Sequence, residues 1–162
     1  MIQNSVAISE KSIGGEIPMI ATEITDSCLY TGLFGSLDSR RMSAITEEIM
    51  AKCEVSQLDI VILDLGNVNA IDSHVSNELV RLADTMVLIG IIPVFCGIKR
   101  SLASSMVHQG VNLGRYVVYR DLKSVLKISL KSSSSEFFSS SSSNKVEIIS
   151  SNDDDDDDDD DV

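Results

Sequence analysis

The spacing of apolar residues in the first third of the chain predicts two strands followed by a helix. Residues 17–25 and 28–34 are short runs of β-branched and aliphatic residues separated by two polar residues, which is the pattern of an antiparallel hairpin. Between residues 37 and 53 the apolar residues recur every three or four positions instead. That spacing predicts a helix, and either Asp38 or Ser39 is expected to be its N-cap.

The middle of the chain predicts a central strand and a second helix. Residues 59–66 form a nearly continuous apolar run, as expected for a strand that is covered on both faces. We expect a loop at residues 67–71, after which Asp72-Ser73 begins a helix. One face of this helix should turn inward and the opposite face should meet water. The inward positions are Val75, Leu79, Leu82 and Met86, and the outward positions are Glu78, Arg81 and Asp84.

The same alternation continues to residue 130. We predict a strand at residues 94–98, a short helix at 99–109, a strand at 116–119 and a final helix that Asp121 caps. Leu102, Met106 and Val107 are expected to be the inward residues of the short helix. Strands that alternate with helices after a hairpin indicate an α/β fold, in which right-handed crossovers build a mostly parallel sheet with helices packed against it.

Composition divides the chain into three parts. The net charge is −12, but nine consecutive aspartates near the end account for most of it, and residues 1–130 carry only −3. Residues 131–162 also contain runs of serine, a composition that cannot bury enough apolar surface to offset its ordering entropy. We therefore predict an N-terminal arm at residues 1–16, one domain at residues 17–130 and a disordered Ser/Asp-rich tail at residues 131–162.

The composition of the domain argues against several classes of partner. A mildly acidic domain lacks the basic face that nucleic acid or an anionic membrane requires. The longest apolar-rich run without a charge has 14 residues, whereas a membrane span needs about 20. The three cysteines have neither metal-binding nor redox spacing, so free thiols are expected. We expect a cytoplasmic protein that binds neither nucleic acid nor membrane.

The chain contains no convincing catalytic constellation. Ser73 and His74 are neighbours on a predicted helix, where adjacent side chains point apart, so they cannot pair as nucleophile and base. His108 has no carboxylate close to it in sequence. Asp64 ends a central strand, as the phosphorylated aspartate of a receiver domain does, but the acidic pair and the lysine that such a domain needs are missing. We expect no enzyme, no metal site and no cofactor.

The start of the second helix is the remaining candidate site. Ser73 follows the central strand and its loop, and a hydroxyl in this place can simply cap the helix by accepting a hydrogen bond from a backbone N–H. The same place also suits a phosphate, because the positive end of the helix dipole and unpaired N–H donors lie there. A phosphoryl group adds a charge of about −1.5 to −2, enough to repel or recruit a partner.

A family resemblance favours the second interpretation. Residues 63–73 (Leu-Asp-Leu-Gly-Asn-Val-Asn-Ala-Ile-Asp-Ser) resemble the strand–loop–helix of STAS domains, the fold of anti-sigma factor antagonists. Residues 88–98 and the Gly-Val-Asn-Leu turn at 110–113 are similar to stressosome scaffold proteins, particularly the small one that lacks a sensory domain. The likeness extends over about residues 17–128 and implies a STAS fold.

The resemblance also implies a mechanism and its residues. Ser73 matches the serine that a switch kinase phosphorylates; the unmodified scaffold holds the kinase and phosphorylation releases it. A phosphatase reverses the modification, and paralogous STAS scaffold proteins join the chain in a large assembly. Asp72 matches the surface that the kinase recognises, and His74, Asn77 and Glu78, if exposed, should border it.

Two other functions stay open for such a domain. The first is a simple anti-sigma factor antagonist that binds an anti-sigma kinase as a monomer. The second is a module that binds a small molecule, such as a nucleotide or a lipid.

Overall fold

The computed structural model describes residues 17–129. The predicted arm at residues 1–16 and tail at residues 131–162 lie outside the described residues. Within residues 17–129 the order of strands and helices is the predicted one. The strands are β1 (Met19–Thr25), β2 (Cys28–Leu37), β3 (Ile60–Ile71), β4 (Ile92–Cys96) and β5 (Val117–Tyr119), and the helices are α1 (Ser39–Val55), α2 (Ser73–Leu88), α3 (Arg100–His108) and α4 (Leu122–Ser129).

The five strands form one mixed sheet in the order β1-β2-β3-β4-β5. β1 and β2 are antiparallel and meet at Asp26-Ser27, which confirms the predicted hairpin. The other three pairings are parallel. Parallel neighbours need a crossover connection, and α1, α2 and α3 lie within the three crossovers. The predicted α/β fold with a mostly parallel sheet is confirmed.

Apolar side chains cover both faces of the sheet. α1, α2 and α3 contribute their buried residues to one large cluster, whereas α4 packs on the opposite face through Val125. The first four residues of β3 are buried, as the continuous apolar run predicted. The predicted inward stripe of α2 is also confirmed, since all four of its side chains are buried: Val75, Leu79, Leu82 and Met86.

The prediction that Val107 faces inward is wrong, because its side chain is 72% exposed. The buried residues of α3 are Leu102 and Met106, which lie four positions apart and therefore share one face. Val107 is the next residue along, and it points about 100° away from that face. A helix of nine residues has room for only this narrow apolar stripe.

The predicted loop at residues 67–71 is also wrong, because β3 continues to Ile71. β2 runs beside this extension: Phe34 pairs with Asn67, and Leu37 pairs with Ile71. Pairing with a neighbouring strand overrides the polar, turn-forming composition of these residues, and register shifts in the ladder accommodate it. As a result, β2 and β3 end side by side, and so α1 and α2 start from the same edge of the sheet.

Candidate functional site

The junction between β3 and α2 carries the predicted phosphoacceptor. Ile71 ends the strand, and Asp72 follows in an extended conformation with φ −89° and ψ 178°. The carboxylate of Asp72 accepts a hydrogen bond from the backbone N–H of Val75 at 2.8 Å. Asp72 is therefore the N-cap of α2, and the possibility that Ser73 caps this helix is ruled out.

Ser73 is the first residue of α2, and its side chain is exposed. Within residues 17–129 its hydroxyl takes part in no hydrogen bond; only its backbone carbonyl does, as the acceptor for the Asn77 side chain at 2.8 Å. The hydroxyl is thus open to solvent. Replacing or modifying it breaks no hydrogen bond among the described residues.

The backbone around Ser73 is suited to a negative charge. α2 has 16 residues and no acidic residue in its first turn, so within this helix only the cap Asp72 offsets the partial positive charge at that end. The first backbone N–H groups of a helix have no partner within the helix, and a group attached to Ser73 lies next to them. A negative charge attached to Ser73 is therefore expected to be compatible with the start of the helix.

His74 and Glu78 lie one turn apart on α2 and contact each other. His74 Nε2 is 3.3 Å from Glu78 Oε1, and the His74 side chain is 61% exposed, as expected. Glu78 was expected to face water, and this is wrong, because its side chain folds along the helix towards His74 and is only 22% exposed. Its other oxygen, Oε2, is buried and has no hydrogen-bond partner among the described residues. A carboxylate oxygen in that state is costly to the fold.

Asn77 is exposed and completes the group of predicted surface residues. The hydrogen bond from its side chain to the Ser73 carbonyl holds it directly above the first residue of the helix. Asp72, Ser73, His74, Asn77 and Glu78 therefore form one continuous surface over the first turn and a half of α2, which we call the Ser73 surface.

α3 contributes to the same end of the molecule, and the sequence did not predict this. The hydroxyl of Ser76, fully buried in the first turn of α2, donates to Gln109 Oε1 at 2.7 Å. Gln109 Nε2 in turn donates to the hydroxyl of Ser105 at 3.1 Å. These two bonds hold the end of α3 against the start of α2. One feature of the sequence could have predicted this contact: Ser76 follows the inward Val75, and a serine in that place has a buried hydroxyl that needs a hydrogen-bond partner.

The start of α1 repeats the geometry of the start of α2. Leu37-Asp38-Ser39 and Ile71-Asp72-Ser73 have nearly the same sequence, and Leu37 and Ile71 are paired across the sheet. Asp38 is the N-cap of α1 and accepts from the backbone N–H of Arg41 at 2.8 Å. Ser39 therefore occupies in α1 the place that Ser73 occupies in α2, although Ser39 is partly buried and Ser73 is exposed.

Asp64 lies on the sheet face opposite α2 and has a structural role. One of its carboxylate oxygens accepts from the Tyr30 hydroxyl at 3.0 Å and the other accepts from the Gly66 N–H at 2.8 Å. Burial, with a contribution from the charge of Asp64, raises the pKa of Tyr30 to about 12 and that of the Cys96 thiol to about 12. Both groups stay protonated at neutral pH, so neither provides a nucleophile.

No group of three or more His, Cys, Asp or Glu residues within residues 17–129 could hold a metal ion. The three cysteines are free, and two of them, Cys28 and Cys96, are buried. Among the described helices, none is long and apolar enough to cross a membrane.

Comparison with known proteins identifies relatives by sequence. The chain is 25% identical over 118 residues to the RsbT co-antagonist protein RsbRD of Bacillus subtilis, an alignment that covers 73% of this chain and 42% of that protein. The chain thus matches less than half the length of this relative.

Solved structures show the same fold. A variant of RsbS from Moorella thermoacetica superposes with a TM-score of 0.57 at 18% identity, covering 67% of this chain and 90% of that one. The Bacillus cell fate determinant SpoIIAA in its phosphorylated form superposes with a TM-score of 0.53 at 13% identity, covering 67% of this chain and 97% of that one.

The family model agrees with the fold and with the resemblance noted in the sequence. The model of the STAS domain matches residues 19–123, from the first residue of β1 into α4. That range contains all five strands and the whole Ser73 surface. The chain belongs to the STAS domain family.

Proposed function

We propose that this protein is a non-enzymatic phosphoswitch regulator of stress signalling: a STAS scaffold that sequesters a switch kinase and releases it when Ser73 is phosphorylated. One observation carries the proposal. The Ser73 hydroxyl is exposed and makes no hydrogen bond within the described chain, because Asp72 caps the helix in its place. A kinase can therefore reach the hydroxyl without unfolding any part of α2.

Phosphorylation changes this surface without changing the fold. A partner that packs against the Ser73 surface covers a neutral hydroxyl before modification and a group of about −1.5 to −2 charge after it. Removing that charge from water is expensive unless the partner supplies new counter-charges. Phosphorylation therefore weakens the complex with a partner whose surface fits the unmodified Ser73 hydroxyl. The helix start tolerates the same charge in the free protein, so release needs no conformational change.

The residues around Ser73 supply the contact. The Asp72 carboxylate caps the helix just before Ser73, the Asn77 amide is bonded to the Ser73 carbonyl, and the His74 side chain is 61% exposed. Glu78 lies next to His74 on the same face of α2, with its Oε1 3.3 Å from His74 Nε2. We assign Asp72, His74, Asn77 and Glu78 to partner binding.

The relatives support the choice of partners. RsbRD is named as a co-antagonist of RsbT, which makes RsbT the first protein to test as the switch kinase. We propose a cytoplasmic cycle in which a phosphatase restores the unmodified scaffold and paralogous STAS proteins join the chain in a large assembly.

Two measurements distinguish this proposal from the alternative functions. In size-exclusion chromatography after mixing with such paralogues, a scaffold elutes together with them, whereas a monomeric anti-sigma factor antagonist elutes alone. Thermal stabilisation by a nucleotide or lipid in the absence of phosphorylation supports the small-molecule module instead.

The experiment measures RsbT binding to four forms of the full chain. Wild type and Ser73→Ala are expected to bind, whereas Ser73→Asp and Ser73-phosphorylated protein are expected to bind at least about tenfold more weakly, a loss of about 1.4 kcal/mol. Leu88→Asp is the control, since it places the same charge at the exposed last residue of α2, at the other end of the helix from Ser73, and it is expected to bind like wild type. Equal binding by the unmodified and phosphorylated proteins contradicts the switch.

A further inference from the structure

The edge of the sheet where β3 and β4 begin brings three connections together. They are the hairpin turn between β1 and β2, the segment from α1 to β3 and the segment from α2 to β4. The Asp59 N–H donates to the Ser27 carbonyl at 2.8 Å, and the Asp59 carbonyl accepts from the Ile92 N–H at 2.8 Å. The three connections therefore lie side by side. We call their residues, 23–27, 54–59 and 87–92, the distal edge.

The distal edge exposes four aliphatic side chains. Val55, the last residue of α1, is 87% exposed, and Leu88, the last residue of α2, is 86% exposed. Val87 and Ile89 flank Leu88 and are also exposed; no other stretch of residues 17–129 has three exposed large apolar residues in succession. α1 and α2 start side by side, pack against each other and have nearly equal lengths, so their last residues are neighbours too. These four side chains form one apolar patch, and a partner that covers it removes apolar area from water.

Negative charge accompanies this patch. The distal edge has four exposed carboxylates and no Lys, Arg or His; the acidic residues are Glu23, Asp26, Glu54 and Asp59. The Ser56 hydroxyl donates to Glu23 Oε1 at 2.9 Å, which holds this carboxylate against the end of α1. α1 and α2 both end here, so the partial negative charges of two helix C-termini add to the carboxylates. α2 has no basic residue in its last turn to offset that charge.

Two basic side chains lie just beyond these segments, and both are paired. Lys52, in the last turn of α1, is 3.5 Å from Glu48, and Arg115, which precedes β5, is 2.8 Å from Asp84. The negative charge of the distal edge is therefore left to a partner to balance.

We propose that the distal edge binds a partner protein through a cationic amphipathic segment. The apolar side chains of this segment cover the aliphatic patch, and its Lys or Arg side chains meet the carboxylates and the two helix ends. Charge selects this occupant over a second copy of the chain. Two copies joined through the distal edge bring Glu23, Glu54 and Asp59 against the same carboxylates, and like charges across an interface repel.

This contact goes beyond the proposed function and does not depend on it. Ser73 and Leu88 are the first and last residues of α2, a helix about 24 Å long, so the Ser73 surface and the distal edge lie at its opposite ends. A partner at the distal edge can therefore stay bound whether or not Ser73 is phosphorylated, and the chain can hold two partners at once.

The test titrates the full chain with an amphipathic model peptide of leucine and lysine. Two-dimensional NMR of the backbone amides locates binding residue by residue, so that binding to the aspartates at residues 153–161 is observed separately. Saturable shifts are expected at residues 54–59 and 87–92. A peptide with glutamate in place of lysine is expected to produce none, because its charge has the wrong sign.

Variants separate the apolar contribution from the charged one. Leu88→Ser and Val55→Ser are each expected to weaken binding at the distal edge about tenfold. Val107→Ser is the control, since Val107 is an exposed valine outside the three segments, and it should bind within about twofold of wild type. Glu54→Gln should weaken binding about two- to fivefold at low ionic strength and less in high salt. Circular dichroism of each variant checks that the fold is intact.

The other outcomes overturn the proposal. Peptide binding confined to residues 153–161, or shifts at the distal edge that persist unchanged in Leu88→Ser and Val55→Ser, show that the patch is not a docking surface. Self-association of the full chain in analytical ultracentrifugation that Leu88→Ser abolishes makes a second copy the occupant. Peptide binding that disappears on Ser73 phosphorylation contradicts the independence of the two surfaces, whereas a failure of RsbT to bind overturns only the switch.

Discussion

The two aspartate caps offer a matched pair of perturbations that separates stability from recognition. Asp72 and Asp38 each accept a hydrogen bond from a backbone N–H three residues ahead at 2.8 Å, and the strands before them are paired. We predict that Asp72→Ala and Asp38→Ala each lower the free energy of unfolding by about 1 kcal/mol, because each leaves one N–H at the helix start without its acceptor.

The comparison needs a correction for one additional contact. Asp38 also pairs with Arg41 at 3.2 Å, but both side chains are more than half exposed, so this ion pair adds less than about 1 kcal/mol. Urea unfolding followed by circular dichroism measures both losses. In a thermal melt, 1 kcal/mol corresponds to a decrease in Tm of about 4–8 °C for a domain of this size.

Phosphorylation of Ser73 by RsbT is then measured on the same two variants. Asp72 directly precedes Ser73, whereas Asp38 lies at the start of the neighbouring helix, so Asp72→Ala is expected to slow phosphorylation at least about tenfold more than Asp38→Ala does. Equal slowing by both variants would show that Asp72 acts only through stability. A variant Asp72→Ala as stable as wild type would refute the cap assignment itself.

Three further predictions address the core and the Ser73 surface. Gly97→Ala should be far more destabilising than Gly110→Ala by urea unfolding, because both have positive φ but an added Cβ meets Asp64 at 2.5 Å only at Gly97. Burial raises the pKa of Tyr30 to about 12 in the folded protein, above the value of about 10 in the unfolded chain. The stability that the Tyr30 hydroxyl contributes is therefore complete below pH 10 and is lost as the pH rises towards 12. Tyr30→Phe should reduce this fall in the free energy of unfolding, measured between about pH 9 and pH 12. Glu78→Gln should raise the free energy of unfolding by about 0.5 kcal/mol or more, because it removes the charge from a carboxylate that has one unpaired, buried oxygen. A loss of stability would contradict the view that this buried oxygen destabilises the fold.

The order of elements was predictable because each one has a strong local signal. The apolar run at the start of β3, the stripe on α2 and the polar pair between β1 and β2 each predict one element, and each is confirmed. The extension of β3 had no such signal. Its residues form a strand because β2 lies beside them, and a contact with a distant part of the chain is not encoded in their own composition.

The geometry of the candidate site was predictable in part for the same reason. Ser73 and its neighbours lie on one stretch of sequence, so a family pattern could locate them. Which of two adjacent residues caps α2 depends on backbone angles, and the sequence left a Ser73 cap open. The contribution of α3 depends on a hydrogen bond between residues 33 positions apart, which no local pattern reveals.

The division of labour between Asp72 and Ser73 has a consequence for how this position can vary. Because the Asp72 carboxylate caps α2, the Ser73 hydroxyl does not contribute to the stability of the fold. Replacing Ser73 should therefore not lower the free energy of unfolding as most substitutions do. A threonine or an acidic residue at this position should therefore leave the stability of the fold close to that of the serine form. For the experimenter, substitutions at this position test the proposed switch with little interference from misfolding.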